Sequence, residues 1–209
     1  MKFFWYSIVF TALVLPGLAQ VQGEDAYGAI FSFQTGAETP VIEMDRDIGL
    51  RVQGSTTPFL RIFADGTVLI HYPVFRKNAG DYELRISEQE VADLLASLSE
   101  KGVLSFDEQS VKQEKALQER ILQESRAQNG QPVLFERSDE TLTIIKITLD
   151  SYQAADSSQP VLEFQKRTAW SGIAWDAKQY PGLKAVQDLA MAVDVLDALA
   201  NHPNLMKKQ

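Results

Sequence analysis

The sequence predicts an α+β domain in which antiparallel β-hairpins form a sheet packed against helices. Three observations carry that prediction. Asp65-Gly66 separates two apolar runs, FLRIF and TVLIHY, and Gly supplies the positive φ that a tight hairpin turn requires. Val91, Leu94, Leu95 and Leu98 recur at helical spacing directly behind Ser87. Leu142 to Tyr152, LTIIKITLDSY, is dense in β-branched residues, which suit a buried strand.

The elements follow in order. AIFSF, at 29–33, is a short strand candidate. Val41 to Asp47 alternates, with Val41, Glu43, Asp45 and Asp47 on one side and Ile42, Met44, Arg46 and Ile48 on the other, as expected of an edge strand with one solvated face. Phe59 to Tyr72 forms the hairpin, Pro73 to Gly80 a loop, and Asp81 to Ile86 a third strand with Tyr82, Leu84 and Ile86 on one face. Ser87-Glu88-Gln89-Glu90 fits a capping box, in which the serine hydroxyl takes an orphan N–H and Glu90 reaches back. Lys101-Gly102 ends that helix, and Val103, Leu104 and Phe106 return to the core.

Gln109 to Asn129 is polar and charged, with only Val111, Leu117, Ile121 and Leu122 large and apolar. A solvated helix is the simpler reading and a partner-docking arm the sharper one. Val133 to Glu136 and Leu142 to Tyr152 flank Ser138-Asp139-Glu140 as a second hairpin, and Pro160 to Thr168 continues the sheet with Leu162 and Phe164 inward. Trp170 to Gln179 fits a short helix or loop. Pro181 suits the first turn of a closing helix, with Leu183, Val186, Leu189, Ala190, Val193, Leu196 and Ala200 on one face. Asn201-His202-Pro203 stops it, and the polar tail Asn204 to Gln209 is expected to fray.

Residues 58–106 thus run strand, strand, strand, helix, and 133–200 repeat that order. The expected organisation is one domain over 20–209 with two similar βββα halves, 41–108 and 132–203, joined by a polar helix at 109–131. No residue-level repeat links the halves.

Residues 1–19 have the order of a cleaved secretory signal. Lys2 precedes an apolar run from Phe3 to Leu15, Pro16-Gly17 breaks it, and Gly17-Leu18-Ala19 offers a small-x-small cleavage site. Thirteen residues span about 20 Å as a helix, short of the ~30 Å hydrocarbon core. Cleavage after Ala19 and an exported location, periplasmic in a bacterium or secreted, are therefore expected. With Lys2 removed, nineteen Lys and Arg face 28 Asp and Glu, a net charge of −9. That balance disfavours nucleic acid and anionic membrane surfaces as partners. No second long apolar run follows, so the mature chain is not expected to span a membrane. With zero cysteines, stability rests on apolar burial, and thiol nucleophiles, thiolate zinc sites and iron–sulfur clusters are excluded.

Motifs with chemical content are sparse. The two histidines, His71 in the hairpin and His202 at a helix end, have no Gly-x-Ser-x-Gly elbow or histidine partner beside them in sequence. Glu43, Asp45 and Asp47 share one face, but the calcium-loop pattern fails, because Gly49 stands where a ligand belongs and Leu50 where the glycine belongs. Phosphate-binding glycine loops are absent. Trp170 and Trp175 are five apart, more consistent with core than with one ligand-binding face. The expectation is no cofactor, no metal and no assignable catalytic residue. The function class is a non-catalytic binding or interaction module of the cell envelope with a protein or peptide partner. The rivals are a hydrolase using carboxylates such as Asp45 or Asp65, and a structural component of an envelope assembly.

Overall fold

The computed structural model describes residues 20–34, 36, 38–47, 57–129 and 140–208. Among the described residues, nine strands and four helices follow in the order β1 (Gln20–Glu24), β2 (Ile30–Gln34), β3 (Ile42–Asp47), β4 (Leu60–Ile62), β5 (Thr67–Tyr72), β6 (Gly80–Arg85), α1 (Glu88–Glu100), α2 (Glu108–Gln128), β7 (Leu142–Gln153), β8 (Val161–Ser171), α3 (Ile173–Gln179), α4 (Lys184–Ala200) and β9 (Met206–Lys207). All strands join one antiparallel sheet. The fold is α+β.

β7 organises the sheet. β8 pairs along its length from Leu142 to Tyr152, which leaves the opposite edge to β3 and then β2, laid end to end. β1 continues outward from β2, and β4, β5, β6 and β9 continue from β3. Directly opposed residues share a face. One buried row therefore runs Thr168, Ile145, Met44, Leu60, Ile70, and the next runs Ile147, Ile42, Ile62, Val68, Leu84. α1 adds Val91, Leu95 and Leu98 to this core, and α4 adds Val186, Leu189, Ala192 and Leu196. The other face is polar, with Arg167, Lys146, Glu43, Arg61, Leu69 and Glu83 in one cross-strand row.

Local signals act as their chemistry requires. Gly66 has φ +81°, and a Cβ there would stand 1.9 Å from the Ile86 carbonyl oxygen, so only glycine closes this hairpin. The Phe63 N–H donates to the Thr67 carbonyl at 2.8 Å, enclosing a three-residue loop with Gly at its left-handed position. At α1 the capping box forms in full: the Glu90 N–H donates to Ser87 Oγ at 3.2 Å, and the Ser87 N–H donates to Glu90 Oε2 at 2.7 Å.

Several expectations are corrected. β3 lies inside the sheet between β7 and β4, because alternation reports a polar face and says nothing about edge position. Leu162 is 71% exposed, since β8 runs past the core at its start. Leu94 and Leu142 are half-buried, and Leu95 lies at the centre of the α1 stripe. The closing helix starts at Lys184, with Pro181-Gly182 in the preceding turn. The tail does not fray throughout: Met206–Lys207 pairs with Tyr82 and Glu83 of β6. The expected leader at 1–19, the expected strand at Val133 to Glu136 and the expected turn at Ser138-Asp139 lie outside the described residues.

Candidate functional site

α2 is the element least absorbed by the core. Asp107 caps it through a 3.0 Å bond from the Gln109 N–H, and only Val111 among its 21 residues is buried. One flank docks through polar contacts. Lys115 Nζ donates at 2.7 Å to Oδ2 of Asp176 on α3, and that oxygen also accepts from the Trp170 indole N–H at 2.8 Å. The Tyr180 hydroxyl donates at 3.0 Å to Glu119 Oε1. Lys115 stands over the Trp170 and Tyr180 rings at 5.8 and 5.6 Å, within cation–π range. Burial, reinforced by the Glu119 carboxylate, pushes the Tyr180 phenol well above its ordinary pKa. The cluster therefore pins a charged helix to the sheet edge with its polar groups mostly satisfied.

The opposite flank of α2 is open. Leu117 and Ile121, one turn apart, are 55% and 59% exposed. At about 100° per residue they share that flank with Gln113, Glu124 and Gln128, an apolar centre inside a polar rim.

The residues singled out in sequence fall in separate places. His71 Nδ1 lies 2.7 Å from Asp81 Oδ1, directly across the β5–β6 pair, on the polar face of the sheet. His202 accepts the Asn204 N–H at 3.2 Å on Nδ1 and serves the turn after α4. Glu43 lies in register between Lys146 and Arg61, and Asp45 Oδ1 accepts the Arg46 N–H at 2.8 Å. Among the described residues no three His, Asp or Glu side chains gather to hold a metal ion. Asp65 belongs to the β4–β5 turn, where bonds from Thr67 and Arg85 hold its carboxyl below the ordinary range. Trp170 is buried and Trp175 is 36% exposed, so the core assignment holds for the first only.

Two acids escape sequence reasoning. Asp176 is 1% exposed, and its second oxygen is buried without a hydrogen-bond partner in the described residues. Asp150 on β7 is raised in pKa by burial. Asp150 lies in a strand that reads as buried and Asp176 in a short helix, neither with a motif around it, and only tertiary packing marks them. A cavity of about 480 Å³ lies between β6 and the chain end, lined by Glu83, Arg85, Met206, Lys207 and Lys208 among others. Glu83 is already bridged there to Lys208 at 3.2 Å and Arg85 at 3.7 Å.

Comparison of the chain with protein-family models, with curated proteins and with solved structures found no match.

Proposed function

We propose that the chain is a non-catalytic binding module of the cell envelope that docks a helix-bearing protein partner along the open flank of α2. The observation that carries this reading is the Leu117–Ile121 pair, exposed on a helix held in place from its other side. Anchoring matters because a docking surface fixed before binding avoids much of the ordering cost of association. A partner helix with one apolar stripe would bury both side chains against the polar rim.

The chain contains no cysteine, so a single Ile121→Cys carries a photocrosslinker without competing thiols. Crosslinking in the native envelope should join position 121 to one partner, and Leu117→Asp should abolish the adduct while leaving thermal unfolding unchanged. A crosslink to a second copy of the chain would favour the structural-component reading. No adduct, together with a hydrolytic activity lost in Asp45→Asn, would replace this reading with the carboxylate hydrolase.

A further inference from the structure

The β5–β6 hairpin ends in Pro73-Val74-Phe75-Arg76-Lys77-Asn78-Ala79, and its composition departs from the acidic average of the chain. Val74 is 94% exposed and Phe75 61%. Arg76 and Lys77 follow at once and are also exposed. The conformation is defined by two successive turns: the Arg76 N–H donates to the Pro73 carbonyl at 2.9 Å, and the Ala79 N–H to the Arg76 carbonyl at 3.0 Å. Val74 and Phe75 are the two central residues of the first turn, so they form its outermost point. Behind them stands an aromatic tier. Tyr72 meets Phe59 and Tyr82 edge to face at 5.6 and 5.5 Å, and the Tyr82 hydroxyl donates to the Asn78 carbonyl at 3.1 Å. The tip is therefore braced from below.

We infer that this hairpin tip is a membrane-contact site that seats Val74 and Phe75 in the interface of an anionic lipid bilayer. The argument for a lipid surface rather than a protein groove is the arrangement of charge. Arg76 and Lys77 adjoin the apolar pair, and Lys207 reaches the same end, its Nζ 5.9 Å from the Tyr82 ring centroid. The nearest acids along β6 are engaged. Asp81 pairs with His71, and Glu83 is bridged to Lys208 and Arg85. An apolar point ringed by cations, over tyrosines, matches the order of acyl chain, headgroup and aqueous boundary. The net negative charge disfavours anionic membranes for the chain's surface as a whole, but it weighs little at this tip, because charges farther than a Debye length of about 8 Å are screened at physiological ionic strength. The site is independent of the α2 flank, and either can fail alone.

The test places a polarity-sensitive dye on Val74→Cys in the full chain, with the same dye on Asp156→Cys in the β7–β8 turn as control. A dye at one position reports that position even if another part of the chain also meets lipid. Vesicles of phosphatidylcholine with about 30% phosphatidylglycerol should shift the emission at position 74 to the blue and leave position 156 unchanged. Pure phosphatidylcholine, or about 0.5 M NaCl, should suppress the shift. In the position-74 background, Phe75→Asp should remove it. At roughly 1 kcal/mol per cation near the surface, Arg76→Gln with Lys77→Gln should weaken partitioning about 30-fold. An unchanged dye at position 74, a shift of equal size at position 156, or a shift indifferent to lipid charge would each overturn the inference. A shift produced by a protein from the envelope, and by no vesicle, would make the tip a protein contact instead.

Discussion

Asp176 shows how much one residue can organise. Its carboxylate is almost fully buried, and it receives Lys115 from α2 and the indole N–H of Trp170 from β8. Removing one partner of such a group leaves another polar atom stranded, which costs more than the net worth of the bond. Asp176→Ala should therefore lower unfolding stability by about 2–4 kcal/mol in urea titrations. Lys115→Met should cost at least as much, because it leaves the buried Asp176 carboxylate with the Trp170 bond alone, whereas the partly solvated Lys115 can turn to water when Asp176 is lost. A much smaller cost for Lys115→Met would mean that the indole, and not the lysine, carries the site. In sequence Asp176 is one acid among 28, and Lys115 lies 61 residues away.

At the scale of the element, capping and periodicity were readable because both act within one or two helical turns. Ser87→Ala should cost about 1 kcal/mol through the lost cap. Leu95→Ala should cost about 2–5 kcal/mol, because it empties a buried site. Leu94→Ala should cost less, since that side chain is half-buried, although periodicity alone ranks the two leucines together. Leu117→Ala should stay within about 0.5 kcal/mol of the parent, as expected of a side chain that touches little. Denaturant midpoints for the four variants test this ranking, and a costly Leu117→Ala would show that the α2 flank is packed rather than open. Polarity announced α2 as a helix that buries little, but which flank docks was not legible. Its anchors, Asp176 and Tyr180, come from a distant part of the chain.

For the molecule as a whole, pH dependence follows from groups at both ends of the scale. Bonds from Thr67 and Arg85 lower Asp65, bonds from Ser87 lower Glu90, and bonds from Ser110 and Gln109 lower Asp107. A lowered carboxylate stabilises the fold above its unfolded pKa, and that contribution is lost as pH falls through the folded value. Asp150 acts in the opposite sense. Burial raises it, so its contribution declines as pH rises through the acidic range. Tyr180 is also raised, so stability should fall once the unfolded phenol, near pH 10, begins to ionise. Thermal melts across pH should show an acid limb that Asp65→Asn flattens, an alkaline limb that Tyr180→Phe flattens, and a parent weaker than Asp150→Asn at neutral pH. An alkaline limb unchanged in Tyr180→Phe would assign it to another group.

The sequence by itself determined the fold class, the Asp65-Gly66 hairpin, both ends of α1 and the polar character of α2. Each of these is set by neighbours within a few residues, through φ preference, capping or period. Tertiary structure alone decided the sheet order. β7 pairs with β3 and β2, strands about a hundred residues earlier, and the strands of both expected halves lie in one continuous sheet. It also decided that β3 is interior, that the chain's end completes the sheet as β9, and that Asp176 is buried. The physical reason is that alternation records which face of a strand meets water, while the choice of neighbour depends on long-range pairing among many runs of similar hydrophobicity.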